Sequence, residues 1–218
     1  DKSLPTDTLI RYLNKTCEEI TGNDEYDNNF RSCFHGIGHG VYLRNNDFSK
    51  GMETCSTMTN TSTFTGYNAN FTRRELCSEG FTMRYMESIV QDVKKYRGIL
   101  EVDINTEDVK LNPYIPCSKL RDINLRYGCF SYGTRAFTHD TPSWLRVTNI
   151  CNLYPESDQI PCYYGLSREL AYTSTTDTYK NVVEFCFRAK SDLAAYHCGA
   201  NAILNRITIN NDLKSPLE

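Results

Sequence analysis

No stretch of this chain stays apolar for the roughly 18 residues that crossing a bilayer requires, so no transmembrane segment is expected. The chain also lacks a basic stripe. Lys and Arg are scattered and the formal net charge is -3, which argues against a nucleic-acid surface. There is no C-x2-C knuckle, which removes the cysteine-cluster reading of a zinc site, and no C-x-x-C-H, which excludes covalently held c-type haem. Neither a G-x-S-x-G elbow nor a G-x-x-x-x-G-K-[ST] phosphate loop occurs. Apolar residues are scarce at 39%, while Tyr and Asn are plentiful. Such a composition forms a thin core beneath a polar, hydrogen-bonding exterior.

What the chain does have is cysteine. Ten cysteines, an even number at regular spacing, point to an oxidising compartment. The opening Asp1 reads as a processed N-terminus. Three sequons begin at Asn14, Asn60 and Asn70. Together these features predict an exported glycoprotein, extracellular or at the cell surface, with those three asparagines exposed.

The cysteines fall into pairs, 17/33, 55/77, 117/129, 151/162 and 186/198. The last three pairs are 11 or 12 residues apart, and the first two are wider, as if a loop had grown inside the same unit. The segments after each second cysteine resemble one another: Cys33-Phe-His-Gly, Cys77-Ser-Glu-Gly, Cys129-Phe-Ser-Tyr-Gly, Cys162-Tyr-Tyr-Gly and Cys198-Gly-Ala-Asn. Apolar residues recur at helical spacing on both sides of each pair, as in Leu166 and Leu170. Each unit reads as helix, cysteine, polar connection, cysteine, helix. The fold predicted is all-α, a solenoid-like array of about five disulfide-stapled helical hairpins in a single domain over 1–218. The repeats run roughly 8–43, 44–95, 117–140, 141–173 and 177–210, with an irregular insertion at 96–116 where Pro113 and Pro116 oppose a regular helix. Spacing favours Cys17–Cys33, Cys55–Cys77, Cys117–Cys129, Cys151–Cys162 and Cys186–Cys198. Closing a loop of about a dozen residues stabilises by about 3 kcal/mol in the chain-entropy model. Gly after the second cysteine predicts a close approach of two helices.

The unit from Cys151 to Gly165 and the Cys-x-His-Gly-x-Gly-His copy from Cys33 to Gly40 resemble a group of poorly characterised exported proteins of archaea and bacteria. These carry recurrent Cys, about eleven residues, Cys-aromatic-x-Gly units. The resemblance implies an all-helical repeat fold and carries over no catalytic residue.

His35 and His39 are four apart, so on a helix they share one face and offer two imidazoles to Zn or Cu. A third ligand is needed. Positions two, six and ten after each second cysteine line up, which offers Glu79, Glu87 or His139, with Glu79 favoured as the neighbour of both histidines. The alternative is that the two histidines pack between helices. Gly36 stands where an H-E-x-x-H peptidase has Glu, so zinc-peptidase chemistry is not expected. His139-Asp140 and Arg168-Glu169 read as solvated helix-end residues, and Tyr163, Tyr164, Tyr172 and Tyr179 as a contact patch or a helix seam. The leading expectation is a secreted or cell-surface structural or interaction protein, with protein partners or self-assembly. An extracellular Cu- or Zn-binding protein using His35 and His39 is second, and an enzyme of unknown type is third.

Overall fold

The computed structural model describes residues 5–21, 28–45, 47–58, 63–66, 69–90, 112–137, 143–173 and 178–213. Within them the chain is a disulfide-stapled array of helices. In order these are α1 (Thr6–Thr21), α2 (Asn28–Arg44), α3 (Phe48–Ser56), α4 (Arg73–Val90), α5 (Ile115–Ser118), α6 (Ile123–Gly133), α7 (Trp144–Cys151), α8 (Glu156–Thr173), α9 (Thr178–Cys186) and α10 (Asp192–Leu213). A 3-10 turn, Thr134–Phe137, follows α6. One antiparallel hairpin, β1 (Thr63–Gly66) with β2 (Ala69–Thr72), pairs Thr63 with Thr72 and Thr65 with Asn70. It lies inside the widest cysteine pair, so the extra length of the second repeat is a β-hairpin.

The chain divides into two compact units, Asp1–Ala136 and Phe137–Glu218. In the first, α4 packs against both α2 and α6, with α1 and α3 laid against these helices. In the second, α8 packs against α10, while α7 and α9 flank them. In each unit one helix is therefore covered on nearly every side. In α4 every residue from Leu76 to Thr82 is buried, and in α8 every residue from Pro161 to Ala171. A helix covered all round cannot keep a polar stripe, and this explains why those stretches mix small, aromatic and self-satisfied polar residues.

Disulfides join Cys17–Cys33, Cys55–Cys77, Cys117–Cys129, Cys151–Cys162 and Cys186–Cys198, with Cα atoms 5.4–5.8 Å apart, and no cysteine is free. Each bond ties the later part of one helix to the second turn of the next. The second helices start earlier than the cysteine pattern suggests. Helix α8 begins at Glu156, six residues before Cys162, and carries Pro161 inside it.

Local chemistry sets the helix ends. Thr72 and Glu75 form a capping box at the start of α4: the Glu75 amide donates to Thr72 Oγ1 at 3.2 Å, and the Thr72 amide donates to Glu75 Oε2 at 2.6 Å. Asp122 caps α6 by accepting from the amides of Asn124 and Leu125. Ser191 accepts the Ala194 amide at the start of α10 and donates to Glu156 Oε2 at 2.7 Å. Pro116 does not exclude a helix, contrary to expectation. It sits in the first turn of the one-turn helix α5, where a missing N–H costs nothing. The rest of the expected insertion, 96–111, lies outside the described residues.

Two expectations about exposure are corrected. Asn14 is not on the surface: it lies four residues after buried Ile10 and three before buried Cys17, so α1 turns it inward, and it is 9% exposed. Arg168 and Glu169 are not solvated. Both are buried in α8, 3.6 Å apart. Tyr163 and Tyr164 are buried in the same helix, whereas Tyr172 stands exposed. Tyr179 and Asn70 carry no described side chain, and Asn60, His139 and Asp140 lie outside the described residues.

Candidate functional site

The sharpest concentration of ionisable groups lies where α2, α4 and α6 pack in the first unit. Its geometry starts from glycine. A Cβ at Gly80 would collide with the main-chain carbonyl of His35 and stand 3.2 Å from the His39 ring. A Cβ at Gly38 would collide with the Cys77 carbonyl and the backbone of Gly80 and Phe81. Backbone therefore meets backbone, and side chains beside the crossing are forced together. Gly36, the glycine at the expected register, has open space around its Cα. The close approach in the first repeat is made by Gly38, two residues on.

The same crossing recurs in the second unit with different chemistry. Position five after Cys33 is Gly38 and position three after Cys77 is Gly80. The equivalent positions after Cys162 and Cys198 are Ser167 and Asn201. There the Asn201 amide donates to Ser167 Oγ at 2.6 Å. The residue by which the fifth repeat departs from Gly is thus the donor of a buried hydrogen bond.

Next to the Gly38–Gly80 contact, position two of three successive repeats converges: His35, Glu79 and Ser131. Glu79 is fully buried. Its Oε1 accepts from Ser131 Oγ at 3.0 Å, and its Oε2 lies 3.5 Å from Arg31 Nη2 and 3.7 Å from His35 Nδ1. The His35 ring stands edge-on to His39, centroids 4.8 Å apart, and 5.1 Å from Tyr132. Burial, then the charges of His35 and Arg84, push the His39 pKa down to about 4, so this imidazole is neutral at pH 7. Its Nε2 is buried and has no hydrogen-bond partner among the described residues. One turn before Glu79, burial pushes the Glu75 carboxyl up to about 7, opposed by its hydrogen bonds to Thr72 and reinforced by Glu79. Further along α4, Glu87 lies 3.1 Å from Arg84 and 3.8 Å from Arg135. Leu43, at position ten of the first repeat, points away and is exposed.

His35, His39 and Glu79 are therefore neighbours, but they do not form a metal-ligating triad. Glu79 is already engaged by a serine, an arginine and an imidazole. Among the described residues, no group of three or more His, Cys, Asp or Glu is arranged to hold a metal ion. The buried Glu79 is instead met by polar neighbours on α2 and α6, as a buried polar group requires. Chemically it holds three repeats in register. Sequence reasoning missed Arg31 and Glu75. Their signal was present as stripes of period four, Arg31-His35-His39 on α2 and Glu75-Glu79 on α4. Two acids four apart on a helix with so little exposed surface demand cations from its neighbours.

A second feature of this unit is a cleft of about 380 Å³ between α3, α5 and the start of α6, floored by Phe48, Met52 and Leu125, with Glu53 and Lys119 exposed on its lining.

No family model, curated protein or solved structure matches this chain.

Proposed function

We propose that this chain is a secreted or cell-surface scaffold, a subunit of an extracellular or envelope assembly that works by presenting a stapled helical surface to protein partners. One observation carries the reading: all ten cysteines are spent on staples within successive hairpins, and none is left for redox, nucleophilic or metal chemistry. Such bonds form and persist in oxidising compartments, and a reducing cytosol would open them. No helix among the described residues is long and apolar enough to cross a membrane. In the ionisable cluster of the first unit Glu79 is engaged by Ser131, Arg31 and His35, which supports a structural role for that acid. The resemblance to exported archaeal and bacterial repeat proteins is in keeping with this role.

The test is cross-linking on intact cells of the native source with a membrane-impermeant reagent, followed by peptide mass spectrometry. Expected are peptides of this chain joined to peptides of other exported proteins. A chain labelled only after lysis, with reduced cysteines, would refute the proposal.

A further inference from the structure

Helix α10 is apolar on two sides, and the described residues cover only one of them. Ala194, Ala195, Cys198 and Ala202 are buried, in a helix that packs against α8 and α9. The other side carries Leu193, Tyr196, Ala200, Ile203 and Ile207, spaced alternately three and four apart. Leu193 is 46% exposed, Tyr196 68%, Ile203 38% and Ile207 46%. This second side forms a seam with the 3.5-residue period by which two helices pair.

The flanking charges say what covers it. Asp192 and Arg206 are two heptads apart, so they occupy the same flank of the seam. In an antiparallel pair about a two-fold axis, Leu193 faces Ile203 of the second copy, and Tyr196 faces its Ala200. Asp192 then lies beside its Arg206. Symmetry repeats each contact. Large meets small in the seam, and acid meets base along its edge. A parallel pair would instead set Tyr196 against Tyr196. At the seam's edge Arg206 also donates to the Ala171 carbonyl at 3.4 Å.

We propose that α10 seats a second copy of this chain, antiparallel about a two-fold axis, along Leu193, Tyr196, Ala200 and Ile203. The proposal rests on the reading of the chain as an assembly subunit and names its first partner.

Sedimentation velocity of the full chain, disulfides intact, tests it. The expected species has twice the 25.1 kDa mass of one copy. Ile203→Glu places a charge in the seam and is expected to weaken dimerisation by roughly a hundredfold or more. Asp192→Arg and Arg206→Asp are each expected to weaken it roughly tenfold, since each sets like charges together twice. The two combined restore the wild-type affinity to within about threefold. If far-UV circular dichroism shows that Ile203→Glu does not fold, Tyr196→Lys, at a more exposed position of the same seam, supplies the same reading. A monomer at roughly 100 µM overturns the proposal. A dimer that survives the seam substitutions, or charge reversals that fail to restore each other, also overturns it. A monomer that still cross-links to other exported proteins refutes this inference alone. A dimer found inside the cell with reduced cysteines refutes the scaffold reading alone.

Discussion

Replacing Gly80 with alanine sets two effects of opposite sign against each other. In an ordinary helix interior, Gly→Ala stabilises by about 1 kcal/mol, because alanine loses less backbone freedom on folding. At Gly80 the added methyl falls on the main-chain carbonyl of His35, 2.9 Å from its carbon and closer still to its oxygen. A carbonyl in the middle of α2 cannot rotate aside as a side chain can. Helices α2 and α4 must separate, and the contacts of Glu79 on α4 with Arg31 and His35 on α2 resist that. Overpacking of a well-filled site costs about 1–3 kcal/mol and occasionally more, and a rigid obstacle puts this case at the upper end. The expected net loss is about 2 kcal/mol. Gly36, at the same register in the first repeat, meets nothing within 4 Å. Gly36→Ala is therefore expected to be neutral or to stabilise by up to about 1 kcal/mol. Urea unfolding followed by circular dichroism, with disulfides intact, measures both. Because the chain has two compact units, the transition of the first unit is the one compared. If Gly80→Ala is as stable as Gly36→Ala, the backbone contact between α2 and α4 does not exist.

Two groups of the same unit, buried Glu75 and half-buried His39, oppose each other in pH. Burial holds the Glu75 proton up to about pH 7, above its ordinary 4.5, so the native state binds that proton more tightly than the unfolded chain and stability falls as pH rises from about 4.5 to 7. His39 titrates near 4 rather than 6.5, so the unfolded chain takes the extra proton, and stability falls as pH drops from about 6.5 to 4. The slopes are expected to offset in the wild type and to appear separately in single variants. Glu75→Gln, which keeps the capping geometry, leaves stability rising with pH, and His39→Gln leaves it falling; slopes of one sign in both variants would contradict the assignment. Ser131→Ala removes a donor from the fully buried Glu79 carboxylate and is expected to cost about 1–3 kcal/mol in the same urea assay. A cost near zero would mean that the contact between α4 and α6 is not made. Asn14 is expected to carry no glycan in protein from the native source, since its side chain faces inward; a glycopeptide containing Asn14 would overturn the orientation of α1.

The hairpin plan was legible in the sequence because cysteine spacing is a local quantity. A pair about a dozen residues apart leaves room for one turn and parts of two helices, and the segments after each second cysteine repeat one pattern. The neighbourhood of His35, His39 and Glu79 was legible for a related reason: equal register in successive repeats places residues side by side when the repeats stack. Exposure was not legible. Arg168 and Glu169 look like a solvated pair in isolation, and only the packing of α8 among its neighbours buries them. Asn14 sits in a valid sequon, and only the inward turn of α1 hides it. Nor could sequence separate Gly36 from Gly38, because which glycine meets a neighbouring backbone depends on where two helix axes cross. By itself the sequence determined the helices, their staples and the column of residues that would meet. The tertiary structure decided which faces are covered, and it surrounds Glu79 with donors from α2 and α6.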